Sequence, residues 1–407
     1  MKLESKKKLW IFTELFYPEE TSTSFILTKI ANRLTQKYKV EVVCGAPVYD
    51  LDSRKSTIND LDESIVVDRI KGFRINKNNL ISRALRFVHL SINMSLRLLF
   101  KVKKNDKVFI VTNPAPLILF SSLIKKLKNY ELIILVHDVF PENTIPSGVI
   151  PSKTSITFKF SKVLFDKAYS IADLLIVLGR DMEETITNKI IRFNPTPNIQ
   201  IIENWGDTKE IKPLDRNESK TVRKKNERKI NFLYAGNLGR LQGLMKFLDI
   251  VKEVKNDLIH FKFRGDGALK KEIEEFVKKN NLTNISLGLS YRRDEQEDIL
   301  NDCDIALILL AEGMKGLGVP SKAYNIMAAG KPILFIGDAE SEISLLIKEM
   351  NIGISFDFSE KQKIIKYLED LKLQDVVKYD RMGKDSRILA EEKFSEDIIL
   401  EKFLNTV

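Results

Sequence analysis

The sequence predicts an α/β protein built from two doubly wound domains, each a parallel sheet covered on both faces by helices. Three observations carry this expectation. Short apolar runs recur between helix-length amphipathic segments, and the alternation stops once, in a charged stretch. It then restarts with a strand, a glycine turn and a helix past the middle of the chain. A length of 407 residues also suits two cores better than one.

In the first half, strand-like runs fall at 9–13, 40–44, 108–112, 132–136 and 174–178, with amphipathic segments such as 24–36 and 155–172 between them. The runs are almost continuously apolar, the mark of strands buried on both faces. Residues 212–229, KPLDRNESKTVRKKNERK, hold almost no apolar side chain and read as an exposed linker or surface loop. The alternation resumes at 230–234, 261–264, 305–310 and 332–336. The expected divisions are a first domain at 1–210, a charged linker at 211–229, a second domain at 230–385 and a terminal helix at 386–407. Within that last piece, FSEDIILEKFL sets apolar residues at helical spacing. It is expected to pack back on the first domain, with its own domain as the other possible support.

Composition narrows the class. Hydrophobic residues make up 43% of the chain, which suits a globular protein. Cys44 and Cys303 lie far apart, and His89, His137 and His260 are scattered, so no disulfide framework or zinc spacing is expected. The opening MKLESKKKLWIFT runs from charge into a strand, unlike a signal peptide. The longest charge-free runs, 87–96 and 114–124, fall short of the ~20 apolar residues of a membrane span. The expected location is therefore cytoplasmic. With 66 basic and 56 acidic residues the net charge is +10, which favours anionic partners. Lysines spread along the whole chain account for that excess equally well, and nucleic acid is not an expected partner.

Open α/β sheets bind ligands at the carboxyl ends of their strands. In YAGNLGRLQG, Gly236 and Gly239 allow close backbone approach and Arg240 adds a permanent cation. RGDG gives a second glycine turn, with Gly265, after the next strand. In GLGVPSKAYNIMAAGKPIL, Ser321 reads as an N-cap, Lys322 falls in the first helical turn, and Gly330 with Pro332 ends the helix. A helix amino end, Lys322 and Arg240 would hold a diphosphate without a metal. Each element also has a plain reading, as a tight connection or a solvated lysine. Three such loops in one domain, two of them cationic, exceed what turns require. His137 and Asp138 follow the strand at 132–136, where they either serve the site or orient and cap the turn. Asp302 and Asp304 have D-x-D spacing but precede a strand, at the wrong end of the sheet, so they read as structural and no metal site is expected. Gly236, Gly239 and Gly243 lack the G-x-G-x-x-G spacing, which excludes a nicotinamide-dependent oxidoreductase.

Taken in order, YAGNLGRLQGL, FRGDG and GVPSKAYNIMAAGKPIL resemble the nucleotide-binding half of the family-4 glycosyltransferases. These are retaining enzymes of the GT-B fold, two facing Rossmann-like domains. In the first half, LFYPEETSTSFILTKIANRL, LVHDVFPENT and IIENWGD resemble the family's opening loop and helix, its HD segment and its NW segment. The chain is most similar to the branch that adds amino-deoxyhexoses, N-acetylfucosamine among them, in capsule or O-antigen assembly. The resemblance implies transfer of a sugar from a nucleoside-diphosphate donor, UDP-linked, to a lipid-linked saccharide acceptor. It implies retention by front-face attack, no carboxylate nucleophile, no metal and no cofactor beyond the donor. It assigns Gly236, Gly239, Arg240, Gly265, Ser321, Lys322 and Asn325 to the donor, and His137 and Asp138 to the transferred sugar or acceptor. The chain departs from the family pattern in three places. TSTS at 21–24 replaces paired glycines, and Gln242 stands where lysine is usual. Asn325 replaces a glutamate that holds ribose, with Leu317 in place of its acidic partner. A sugar-nucleotide epimerase of the same fold would act without any acceptor, and a non-catalytic sugar-nucleotide binder would never turn over.

The segment 80–104, LISRALRFVHLSINMSLRLLFKVKK, mixes apolar residues with Arg83, Arg86, Arg97, Lys101, Lys103 and Lys104 and carries no acid. A cationic amphipathic helix of this kind lies in a headgroup layer, or else packs on a sheet with a solvated basic edge. The resemblance favours the first reading: a peripheral protein on the inner face of the cytoplasmic membrane, with an anionic surface as partner.

Overall fold

The structure is a computed structural model that describes residues 6–19, 21–47, 61–72, 80–214 and 229–407, apart from the side chains of 80–84. Most of the charged stretch 212–229 therefore lies outside the described residues. The chain divides into two compact units. One comprises Met1–Glu203, Gly316–Gly318 and Leu400–Val407, and the other Asn204–Lys315 and Val319–Ile399.

The first unit carries strands β1 (Lys8–Thr13), β2 (Lys39–Gly45), β3 (Val66–Ile70), β4 (Lys107–Val111), β5 (Glu131–Leu135), β6 (Leu174–Val177) and β7 (Asn198–Ile201). Its helices are α1 (Ser22–Leu34), α2 (Leu80–Lys101), α3 (Pro116–Lys128), α4 (Ile156–Tyr169) and α5 (Arg180–Ile190). The strands are all parallel, in the order β3-β2-β1-β4-β5-β6-β7. From β1 the chain steps outward to β3, then crosses back to β4 and steps the other way. Right-handed crossovers in both directions put α1 on one face and α2 to α5 on the other, with α3 packed between α2 and α4. Local chemistry starts these helices. The Thr21 hydroxyl accepts the Ser24 amide at 3.2 Å ahead of α1, and the Ser155 hydroxyl accepts the Phe158 amide at 3.3 Å ahead of α4.

Helix α2 departs from the expectation that Arg86 and Arg97 face lipid, while the Arg83 side chain lies outside the described residues. Arg86 turns inward to Glu14 at 3.3 Å, and Arg97 pairs with Asp68 of β3 at 2.7 Å. Lys101 reaches the same carboxylate at 2.9 Å. The reason lies beneath the helix, where two half-buried carboxylates at the sheet need compensating charge. Between 85 and 100 every exposed residue is apolar: Leu85, Val88, Ile92, Leu96 and Phe100. No helix among the described residues is long and apolar enough to cross a membrane.

The second unit holds β8 (Ile230–Ala235), β9 (Ile259–Arg264), β10 (Ile285–Gly288), β11 (Ile305–Leu309), β12 (Ile333–Ile336) and β13 (Gly353–Phe356), all parallel, in the order β10-β9-β8-β11-β12-β13. Helices α6 (Leu244–Val251), α7 (Lys270–Lys279), α8 (Gln296–Asn301), α9 (Lys322–Ala328), α10 (Glu342–Met350), α11 (Lys361–Asp370) and α12 (Val376–Glu392) cover it. All six residues of β8 are buried, and Phe232 stacks on Phe261 with centroids 5.0 Å apart while Phe247 meets Phe261 edge-on. Two sheets of this kind agree with the α/β class expected. Before β11, Asp302 pairs with Lys262 at 2.6 Å and Asp304 accepts the Asn231 amide at 2.8 Å, so both aspartates are engaged at the amino end of the sheet.

The last helix, α13 (Glu396–Thr406), leads into a buried chain end. The Val407 carbonyl accepts the Tyr38 hydroxyl at 2.7 Å and the Lys107 ammonium at 2.6 Å. Leu400, Phe403 and Val407 are buried with them. Each such side chain contributes roughly 1.5–3 kcal/mol of burial, so deleting 395–407 is expected to remove several kcal/mol. A thermal melt of the truncated protein checks this; an unchanged midpoint with full solubility contradicts it.

Candidate functional site

In the second unit, the loops that leave β8 and β9 are joined through their main chains. The Gly236 amide donates to Arg264 O at 2.9 Å, Leu238 N to Asp266 O at 2.9 Å, and Leu269 N to Leu238 O at 2.9 Å. Gly236 and Gly265 both adopt positive φ, +140° and +153°, which suits glycine. A Cβ on Gly265 would stand 1.9 Å from Gly236 O. Gly265 is thus required for the two loops to meet, which is the plain turn reading of that residue. Gly239 is extended, and a side chain there would meet Asn237 and Gln242. Arg240 follows, exposed, on a short 3-10 turn.

Lys322 opens α9 and reaches back to this pair of loops. Its ammonium lies 3.4 Å from where a Cβ on Gly236 would stand and 3.6 Å from the Tyr234 ring centroid. The Nζ atom is buried and has no hydrogen-bond partner. Burial alone pushes its pKa down to about 7. The Tyr234 face offsets part of that cost by cation–π attraction. The result is an amine, only partly protonated near pH 7, held beside a glycine at the carboxyl end of β8, where an anion would satisfy its charged form.

One expectation for this region changes. Ser321 does not cap α9: its backbone is already helical, at φ −60° and ψ −26°, and its hydroxyl makes no capping bond. The turn is closed instead by Pro320 O, which accepts the Ala323 amide at 3.1 Å. Asn325 is partly engaged within its own unit. Its Oδ1 accepts the Asp207 amide at 2.9 Å and its Nδ2 donates to Gln296 at 3.3 Å, leaving one lone pair and one N–H for anything else.

In the first unit, β4 and β5 end side by side. The Thr112 hydroxyl accepts the amides of both His137 and Asp138, at 3.2 and 3.1 Å. Asn113 donates to Asp138 Oδ2 at 3.0 Å, and the Asn143 side chain is its second donor. Burial raises the Asp138 pKa, against which the two amides act to lower it. His137 Nε2 is buried without a hydrogen-bond partner, and burial pushes its pKa down to about 4, so the ring is neutral at pH 7. Gly318 belongs to the same unit, and a Cβ there would come within 3.2 Å of His137 O. Val139 N donates to Leu317 O at 3.0 Å, so Leu317 acts here through its main chain. The segment beyond is braced by Lys189, which pairs with Glu142 and Asp166 at 2.6 Å each. Thr112, Asn113 and Asn143 were absent from the sequence reading. The signal for Thr112 and Asn113 is a polar residue just past a strand, which equally marks a turn, whereas Asn143 sits in the 3-10 turn Glu142–Thr144 and gives none.

The His137 shift gives stability a pH dependence. The unfolded chain binds a proton as pH falls through 6.5, whereas the folded ring resists until about 4. Stability therefore declines as pH falls between those values, by up to about 3 kcal/mol. A melting series from pH 7.5 to 4.5 is expected to show this slope in the native protein and a shallower one in His137→Gln. Identical slopes contradict the assignment.

Comparison with known proteins bears on the family and the fold. Residues 215–388 match the family Glycosyl transferases group 1. Over 397 residues the chain is 32% identical to "Probable glycosyltransferase WbjE" of Pseudomonas aeruginosa, covering 97% of this chain and 96% of that one. Among solved structures, Anabaena Alr3699/HepE in complex with UDP is similar at a TM-score of 0.68 and 13% identity, over 98% of this chain and 99% of that one. WaaG, a glycosyltransferase involved in lipopolysaccharide biosynthesis, is similar at 0.65 and 12%, over 97% and 98%. At such identities the solved structures speak to the fold, two Rossmann-like sheets of the GT-B type. The relative matched along nearly its whole length, together with the family match, decides the rest: this chain belongs to the glycosyl transferases group 1 family.

Proposed function

We propose that the protein is a retaining glycosyltransferase that moves a sugar from a UDP-linked donor to a lipid-linked saccharide in surface-polysaccharide synthesis, without a metal ion. The observation that carries this reading is the buried, unpartnered Lys322 ammonium beside Gly236. Breaking the bond between sugar and diphosphate leaves negative charge on the departing oxygen. An amine fixed there, protonated once the diphosphate is bound, stabilises the transition state more than the ground state. Arg240, exposed on the loop after β8, supplies a second charge, which lessens the need for a divalent ion. Asp302 and Asp304 do not compete for this role, since Lys262 and the Asn231 amide occupy them. On the acceptor side, the neutral His137 ring has Nε2 free to bond a sugar hydroxyl, and Asp138 is positioned by Asn113 and Asn143.

UDP as the carrier draws support from HepE, crystallised with UDP, and a surface glycolipid or polysaccharide from WaaG, involved in lipopolysaccharide biosynthesis. An N-acetylated amino-deoxyhexose as the transferred sugar rests on the sequence resemblance alone. A lipid-borne acceptor places the work at the inner face of the cytoplasmic membrane, and the outward apolar stripe of α2 supports an approach to an anionic surface there.

Mass spectrometry of products from a panel of nucleotide sugars tests the reaction; transfer from none of them, or epimerisation without an acceptor, rejects it. Calorimetry tests the site. Arg240→Ala and Lys322→Ala are each expected to weaken UDP binding by roughly 1.5–3 kcal/mol, the scale of a charge-assisted hydrogen bond. A bound diphosphate would draw a proton onto Lys322, so native affinity falls as pH rises above about 7, while Lys322→Ala is insensitive there. Turnover is expected to persist in excess chelator. Loss of activity restored by magnesium or manganese rejects the metal-free reading.

A further inference from the structure

On the first unit, the outward stripe of α2 is not isolated. Helix α3 packs between α2 and α4, and it exposes Leu123 and Leu127, the latter 80% accessible. Helix α4 adds Ile156 at 84%, Phe160 at 66%, and Val163 and Leu164. Three neighbouring helices on one face of the sheet thus expose their large apolar side chains together. Monomeric soluble surfaces rarely carry such a patch unless something covers it.

The charges around the patch choose what covers it. Lys126, Lys159 and Lys167 are exposed among the apolar side chains, and Lys101, Lys103 and Lys104 close the end of α2. The three helices contain one carboxylate, Asp166, and it is buried against Lys189. A second copy of the chain would bring equal lysines to the interface, with no acid on these helices to meet them. An anionic bilayer satisfies both features, since acyl chains accept the apolar side chains and headgroups the lysines.

We infer that the α2–α3–α4 face is a membrane-insertion surface, on which Phe100, Leu127, Ile156 and Phe160 enter the acyl boundary of an anionic bilayer. This deepens the membrane part of the proposed function and rests on it. The mode differs from electrostatic adhesion through the α2 arginines, because Arg86 and Arg97 are bound to Glu14 and Asp68 beneath the helix. Salt screens charge but leaves inserted apolar surface in place, so binding once formed is salt-resistant.

Vesicle flotation of the full chain tests the inference, using phosphatidylcholine vesicles with and without phosphatidylglycerol, at low and high salt. The native protein is expected to float with anionic vesicles and to stay bound when salt is added afterwards. The double variant Phe100→Glu/Phe160→Glu is expected to partition at least roughly tenfold more weakly. UDP binding and circular dichroism verify its fold, since both phenylalanines are exposed. Lys126→Glu/Lys159→Glu/Lys167→Glu is expected to lose the preference for anionic lipid while keeping residual binding. Release of native protein by salt, with the phenylalanine variant bound as before, overturns insertion and leaves an electrostatic membrane reading. No flotation with any vesicle overturns both. In that case, a dimer dispersed by Phe100→Glu/Phe160→Glu would identify the face as a contact between copies.

Discussion

Parallel pairing is the constraint from which the rest of each unit follows. Parallel strands cannot be joined by a tight turn, so the chain needs a long crossover, in most cases through a helix, before each new strand. Every strand then ends at the same edge of its sheet, and the loops that leave those ends are gathered there. Thr112, Asn113, His137 and Asp138 come together because β4 and β5 are neighbours. The glycine loops come together because β8 and β9 are neighbours. Residues distant in sequence meet because the strand order brings them together, and the strand order also puts α2, α3 and α4 in one layer.

Two buried lysines differ in how their charge is met. Lys189 is as deeply enclosed as any cation in the first unit, and burial pushes its pKa down, but Glu142 and Asp166 hold its ammonium on both sides. The pair of acids tightens α4, α5 and the loop after β5 into one piece. Lys322 has the same cost of burial and no carboxylate. Its only compensation is an aromatic face. A protein that merely needed packing at that position would have no reason to keep an amine in it. His137 is the counterpart in the first unit, a buried nitrogen without a partner, and both lie just beyond strand ends.

The sequence made the interior of each sheet legible and the borders not. The runs that became β1, β2, β4, β5, β6, β8, β11 and β12 are largely apolar because helices cover both faces, while β9 alternates, with His260, Lys262 and Arg264 only partly buried. The strands that escaped notice, β3, β7, β10 and β13, are the four edges. An edge strand is half-exposed, as the mixed burial of Val66–Ile70 and Gly353–Phe356 shows, and carries no continuous apolar signal. Helix α2 was legible as amphipathic, but its rotation was not. Which face meets the sheet was decided by Glu14 and Asp68, which no periodicity within the helix reveals. The same holds at the site. Arg240 and Lys322 stood out as cations near glycines, whereas the enclosure of Lys322 by Tyr234 depends on tertiary packing. Ser321 failed as a cap because the turn at Pro320 had already set its backbone.

The main-chain zipper between the loops after β8 and β9 separates scaffold from side chain. Gly236, Gly265 and Gly267 fix where the loops run, since added Cβ atoms at Gly265 and Gly267 would strike backbone oxygens. Asn237 and Arg240 hang from that frame, both exposed. Their side chains take no part in the bonds that hold the loops together. Randomising those two positions while leaving the glycines alone would therefore vary the exposed chemistry on an unchanged backbone. In evolutionary terms, the same division lets one fold change what its loops present without first having to refold them.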